Sequence, residues 1–127
     1  MITLRLEEKP IQIGERTYTL RMNMSVLERI QAVCDGQIAE LLKKNVYDGN
    51  AITVAAMLND YAEDQHWEQD WTDRKVKKLF TPAMMKMLDV TGMFFRAMTP
   101  ETEEGAAKTA ADGPKTEETK PDEDSGN

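Results

Sequence analysis

The chain has 127 residues and a formal net charge of −7, from 16 basic and 23 acidic side chains, so its length allows one domain and a tail. Most of the excess acid lies in residues 100–127, which hold nine acidic residues and three lysines, while residues 1–99 are almost neutral. This distribution argues against a nucleic-acid-binding domain, because such affinity depends largely on Lys and Arg neutralising phosphates.

Cysteine and histidine are too scarce for two common kinds of site. One cysteine, Cys34, cannot form an intramolecular disulfide, and one histidine, His66, cannot supply paired zinc ligands. The longest apolar run covers residues 54–58, far short of the ~20 residues that a membrane span requires. The N-terminus lacks the basic and apolar segments of a secretion signal. We therefore expect a cytoplasmic protein that is not secreted.

The first 22 residues alternate between apolar and polar side chains, as β-strands do. Residues 11–13 and 17–22 flank a short connection that contains Gly14, and they are predicted to pair as a hairpin. Residues 2–6 are a candidate third strand, ended by Lys9-Pro10. The β unit is thus predicted to lie within residues 2–22.

After residue 23 the apolar period becomes helical. A first helix is predicted to begin at an Asn23 or Ser25 cap and to end at Asp35-Gly36. Its predicted buried stripe consists of Val26, Leu27, Ile30, Val33 and Cys34. A short second helix over residues 38–44 should direct Ile38, Leu41 and Leu42 inward.

Three further helices are predicted after a turn at residues 48–50. The third helix covers about residues 51–66 and has a regular apolar stripe. The members of that stripe are Val54, Met57, Leu58, Tyr61 and Ala62. Thr72 should cap a short fourth helix that carries Val76, Leu79 and Phe80. Thr81-Pro82 is a second start signal, and a last helix is predicted over residues 83–98.

The predicted fold class is α+β and mainly α. A β-hairpin within residues 2–22 precedes a compact bundle of four to five helices over residues 25–98. The acidic tail, residues 99–127, has no apolar side chain larger than alanine and is predicted to be disordered. Its role is open between a solubilising appendage, a tether that folds on a partner, and a mask for an apolar helix.

Residues that could carry chemistry are sparse. The densest polar cluster consists of Asp60, Glu63, Asp64, His66, Glu68 and Asp70. Glu63 and His66 have one Glu-x-x-His spacing, but a di-iron bundle needs two, so a solvated helix face is favoured and no metal is predicted. Cys34 lies on an apolar stripe, where a small core residue is favoured over a nucleophile. We predict no catalytic residue and no cofactor, and hence no enzyme.

The aromatic and methionine residues are the remaining candidates for a binding surface. Trp67 and Trp71 are more consistent with closing the core than with binding. Five of the nine methionines fall within residues 84–98, where they either fill the core or form an adaptable surface for apolar helices. Because the apolar residues of the last helix cover more than one face, this helix should be central or should contact a partner. The candidate partner-binding residues are Met84, Met87, Leu88, Phe94, Phe95 and Met98.

The layout of residues 13–98 resembles the tail assembly chaperones of long-tailed bacteriophages and prophages. The resemblance lies in a hairpin-like stretch over residues 13–22, a helix containing Ser25-Val26-Leu27-Glu28-Arg29-Ile30 closed by Asp35-Gly36, and a central helix through residues 55–64. A segment that begins at Thr72, the last helix and the charged tail complete it. No single motif in this pattern is catalytic.

The resemblance implies a non-enzymatic assembly factor. Such a protein binds the tape measure protein, helps to recruit tail tube subunits, and is absent from the mature virion; a longer frameshifted form is common in the family. Nucleic acid and membranes are not expected as partners, and the oligomeric state is left open. The alternatives are a structural head–tail connector or tail-completion protein of the virion, and a small regulatory binding protein.

Overall fold

The computed structural model describes residues 1–100. Of the acidic tail predicted to be disordered, residues 101–127 lie outside the described residues. Within Met1–Ala97 the chain forms one compact unit, in which a β-hairpin precedes a set of helices. The fold class is α+β and mainly α, as predicted.

The secondary structure of residues 1–100 consists of two strands, five α-helices and one 3₁₀ helix. The elements in chain order are β1 (Glu8–Ile13), β2 (Arg16–Arg21), α1 (Met24–Val33), the 3₁₀ helix (Ile38–Lys43), α2 (Val46–Asp64), α3 (Asp73–Leu79), α4 (Pro82–Leu88) and α5 (Val90–Met98).

The predicted β-hairpin is confirmed. Strands β1 and β2 pair antiparallel, from Glu8 opposite Arg21 to Ile13 opposite Arg16. The turn between them contains Gly14 at φ +63°, a left-handed conformation that costs glycine little. Alternate residues of β2, Tyr18 and Leu20, point into the core.

The candidate third strand over residues 2–6 is wrong. That segment has no regular secondary structure and pairs with no strand, and its apolar side chains are exposed. Strand β1 instead begins at Glu8 and includes Lys9-Pro10, which we had expected to stop a strand. Proline is tolerated there because β1 is an edge strand that pairs with β2 on one side only. Alternation identifies the faces of a strand, but it does not provide a partner.

Helix α1 begins where predicted, because the Asn23 side chain accepts a hydrogen bond from the Val26 N–H at 2.8 Å. The helix ends at Val33 with Cys34 as its C-cap. Asp35-Gly36, both left-handed, follow the cap, and the Gly36 N–H donates to the Gln31 carbonyl. Val33 is exposed, so its place in the predicted stripe is wrong. Leu42 in the 3₁₀ helix is likewise exposed rather than inward.

Helix α2 starts earlier than predicted, and the expected turn at residues 48–50 is wrong. The Asn45 side chain caps the helix by accepting from the Asp48 N–H at 2.9 Å. Asp48 then lies in the first turn, where the helix dipole favours an anion. The Asp-Gly-Asn composition that suggested a turn is thus overridden by a cap three residues upstream.

Helices α3 and α4 begin at the predicted caps, Thr72 and Thr81, and Pro82 occupies the first turn of α4. Of the apolar residues on α3, Val76 is buried and Leu79 is exposed. The single helix predicted over residues 83–98 is wrong, because Asp89 adopts a left-handed conformation that separates α4 from α5. Aspartate tolerates this conformation better than most residues.

Helix α2 is the centre of the bundle. Every residue from Ala51 to Leu58 is buried, and the helix packs against β2, α1 and α3. Helix α4 contributes no fully buried residue, whereas α5 contributes Val90, Met93 and Phe94. The last helices therefore form one wall of the bundle and leave much of their apolar surface exposed. No helix within residues 1–100 has both the length and the apolar character needed to cross a membrane.

Candidate functional site

An open apolar cavity of about 680 Å³ lies between the first turns of α2 and the segment from the end of α3 to the start of α5. Its lining is formed by Val46, Tyr47, Asn50, Ala51, Lys77, Phe80, Thr81, Pro82, Met85, Lys86, Asp89, Val90 and Thr91. A cavity of this size and composition is typical of sites that receive a largely apolar ligand.

A smaller cavity of about 140 Å³ adjoins the first one. The two cavities share Val46, Asn50, Val90 and Thr91 in their walls. The second also reaches the 3₁₀ helix and the far side of α5, where its wall includes Leu41, Leu42, Lys44, Phe94 and Phe95. The two form a continuous surface, which we call the groove.

Three local features of the sequence shape the groove. The Asn45 cap sets the start of α2 and therefore the position of its exposed first turn. The Thr81-Pro82 start forces the chain to leave α3 and begin a new helix beside α2. The break at Asp89 reorients the chain, so that Met85 of α4 and Val90 of α5 contribute to the same wall.

Several large apolar side chains around the groove are exposed to solvent. Val46 and Tyr47 are exposed at the start of α2, and Leu42 and Phe95 are exposed beside the smaller cavity. Folding would normally bury such side chains, and an apolar cavity with an exposed apolar margin marks an interaction surface more often than a scattered residue does.

The charged residues of the groove are predominantly basic. Among residues 1–100, its walls contain three lysines, Lys44, Lys77 and Lys86, and one acid, Asp89. Asp89 forms an ion pair with Arg96 at 3.0 Å, and Arg96 also pairs with Glu7 at 2.9 Å. Lys77 donates to Asp48, and this hydrogen bond holds the pKa of the Asp48 carboxyl below its ordinary value.

The six predicted partner-binding residues do not form one surface in the structure. Phe94 is 5% exposed and belongs to the core, although it also lines the smaller cavity. Phe95 is 50% exposed and lines the smaller cavity. Met84 and Met87 are 45% and 82% exposed, but neither lines the groove.

The other two predicted residues lie apart from the groove. Leu88 is partly buried against the core, and its carbonyl accepts a hydrogen bond from Lys9 Nζ at 2.6 Å. Met98 ends α5 and is about half exposed. The last helical region therefore has exposed apolar residues, as predicted, but they do not all lie on one surface. Met93 is buried and fills the core, which was the alternative.

Sequence reasoning missed the residues that form most of the groove. Val46 and Tyr47 were placed before the predicted third helix, and Met85 and Val90 were not singled out for binding. The only available local signal was the pair of helix starts at Asn45 and Thr81. Nothing in the local pattern indicates that these two starts lie side by side.

Three members of the acidic cluster, Asp60, Glu63 and Asp64, form ion pairs with Arg21 and Arg29. Asp60 lies at the centre of this network and is 5% exposed. Asp60 accepts from Ser25 Oγ at 2.5 Å and from Asn23 Nδ2 and Arg21 at 3.3 Å each. The predicted solvated helix face is therefore wrong for Asp60. Among the described residues, no group of three or more His, Cys, Asp or Glu side chains could hold a metal ion.

The predicted core roles of the tryptophans and of Cys34 are confirmed. Trp71 is buried and donates its indole N–H to the Tyr18 hydroxyl at 3.4 Å. Trp67 packs edge-to-face on Tyr18, with 5.2 Å between the ring centroids. They lie on the connection after α2 rather than on one helix face. Cys34 is buried, and burial raises the pKa of its thiol, which disfavours the reactive thiolate.

The groove is thus the feature of residues 1–100 with the clearest capacity to bind another molecule. It is an apolar surface with a basic margin, and one of its walls is the first turns of the buried central helix α2. The chain matches no family model, no curated protein and no solved structure.

Proposed function

We propose that this protein is a tail assembly chaperone of a long-tailed bacteriophage or prophage. In this role it binds the tape measure protein in the host cytoplasm, helps to recruit tail tube subunits, and leaves before the virion is complete. The proposal joins the resemblance of the sequence layout to the physical character of the groove.

The observation that supports the proposal most strongly is the apolar groove with its exposed margin. A chaperone for a long helical protein must bind apolar side chains reversibly and without strict register. Met85 gives the wall an unbranched, adaptable side chain, which suits contacts with imperfectly matched apolar partners. The exposed Tyr47 provides a large amphipathic contact at the margin.

Co-purification with the tape measure protein tests the proposal. Val46→Glu and Tyr47→Glu place charge in the groove at exposed positions of the first turn of α2, where glutamate suits the helix dipole. Both variants should fold and lose the tape measure protein. Met84→Glu and Met87→Glu are matched controls, because these positions are exposed but lie outside the groove.

Binding that survives the two groove substitutions but is lost in the α4 variants would contradict the role of the groove.

The rival structural function, a head–tail connector or tail-completion protein, predicts that the protein persists in finished particles. Mass spectrometry of purified virions separates the two, since a chaperone should be missing from them. Tail tube subunits should accumulate unassembled when the gene is deleted.

A further inference from the structure

The groove combines an apolar floor with basic margins, and this combination restricts what it can bind. We propose that its occupant is an α-helix of a partner protein in which an apolar stripe is flanked by acidic side chains. The inference rests on the proposed function only in taking this groove to be a protein-binding site. It adds the secondary structure and the charge of the bound segment.

The walls favour a helix over an extended peptide. An extended segment in an apolar site leaves its backbone N–H and C=O groups unsatisfied unless a free strand edge lies alongside. Both walls of the groove are helical, and the only sheet among the described residues is the hairpin of β1 and β2, which does not line it. In an α-helix the backbone N–H and C=O groups hydrogen-bond to one another, and only side chains face the partner. A helix can therefore enter such a groove without leaving backbone groups unsatisfied.

Charge complementarity favours acidic flanks. Residues 1–99 are almost neutral, yet the walls of the groove contain three lysines against one acid. That acid, Asp89, is paired with Arg96, and Lys77 is paired with Asp48. Lys44 and Lys86 form no salt bridge with any residue of the described region. An acidic side chain on the bound helix would meet an unpaired ammonium group at either end of the groove.

A second copy of this chain fits the site poorly. Helix α4 has an exposed apolar surface that could dock in this way, formed by Met84 and Met87. Lys86 lies between these two methionines, and Pro82-Ala83 and Leu88 provide no acid. Docking α4 into the groove of another copy would bring lysine against lysine, which complementary interfaces avoid.

Binding of synthetic helices to the full-length chain tests the proposal directly. Three fluorescent peptides of about 18 residues, or five turns, are compared, and the first two share one leucine stripe at i, i+3, i+4 and i+7. The first has glutamates beside the stripe, the second has lysines, and the third scrambles the first. Fluorescence anisotropy should show the acidic peptide binding roughly tenfold more tightly than the basic one at low ionic strength. Added salt should reduce the difference in affinity between the acidic and basic peptides, because it screens the charges.

Charge reversal in the groove provides the matched test. In Lys77→Glu/Lys86→Glu the preference between the acidic and basic peptides should invert. Lys78→Glu should leave it unchanged, because Lys78 is exposed on α3 but does not line the groove. Lys86→Gln, which removes one charge without adding another, should reduce the preference about twofold to fivefold. Circular dichroism checks that each variant is folded.

The outcomes separate this inference from the proposed function. Equal binding of the acidic and basic peptides would overturn the charge selection. Binding of the scrambled peptide as tightly as the acidic one would overturn the helical occupant, as would self-association through the groove that the peptides disrupt. Tight, charge-selective peptide binding without any binding of the tape measure protein would support this inference and refute the proposed function.

Discussion

Replacement of Asp60 by alanine should lower the free energy of unfolding by about 3 kcal/mol, because it removes the acceptor at the centre of a buried polar network. The Asp60 carboxylate accepts hydrogen bonds from Ser25, Asn23 and Arg21, and Arg29 Nε lies 3.7 Å from it. These donors come from β2, α1 and the connection between them. Asp60 therefore fixes the central helix α2 to the N-terminal part of the fold.

The magnitude follows from what each donor loses. A hydrogen bond to a charged group contributes about 1.5–3 kcal/mol, and removing one partner of a buried ion pair costs about 3–5 kcal/mol. The lower part of that range applies, because Arg21 and Arg29 are partly exposed and keep Asp64 and Glu63 as partners. Arg29 Nε is buried and has no hydrogen-bond partner, and in the variant it would also lose the Asp60 carboxylate that lies 3.7 Å away.

Urea unfolding followed by circular dichroism measures this effect. Asp64→Ala is the matched control, because Asp64 lies one turn further along α2, binds the same Arg21 and is about half exposed. An exposed ion pair contributes about 0–1 kcal/mol, so the control should lose little stability. If Asp60→Ala and Asp64→Ala lowered the free energy of unfolding equally, the reasoning that burial makes Asp60 the more stabilising carboxylate would be refuted.

Three further predictions concern other parts of the fold. Asn59→Ala should cost about 2 kcal/mol in the same unfolding assay, because the Asn59 amide donates to and accepts from the Trp71 backbone at 2.9 and 3.0 Å; a loss below about 0.5 kcal/mol would contradict this anchor. Cys34 should react with a thiol reagent only after denaturation, since it is buried and its thiol pKa is raised; rapid native-state labelling would contradict this. Asp48→Asn should lower the melting temperature at pH 7, because the ion pair with Lys77 is present above the ordinary carboxyl pKa of about 4. Since the folded-state pKa of Asp48 is lowered, this stabilisation is lost as the pH falls through that lower pKa, and the difference between the variant and the wild type should shrink there.

The parts of the fold that depend on local interactions were predictable. Asn23, Thr72 and Thr81 each cap a helix through a hydrogen bond to a backbone N–H three residues later, so the sequence itself contains both partners. The hairpin was predictable because alternation and Gly14 act over a few residues. The wrong third strand at residues 2–6 shows the limit of that reasoning, since a strand also needs a neighbour.

The features that sequence reasoning missed depend on contacts between distant residues. Asp60 looked like part of a solvated face because its donors, Ser25 and Arg21, lie far away in the sequence. The break at Asp89 is held in part by Arg96, which also binds Glu7 at the other end of the folded chain. The groove joins the start of α2 to α4 and α5. A helical period alone could not show which face of the last helices would meet it.

Site-specific photocrosslinking tests the central claim most directly. A photoreactive phenylalanine analogue at Tyr47 lies at the margin of the groove, and the same analogue at Met87 lies on an exposed surface outside it. When the tape measure protein is co-expressed, we predict a crosslink from position 47 to an apolar helical segment flanked by acidic residues, and none from position 87. A crosslink from position 87 alone would contradict the account.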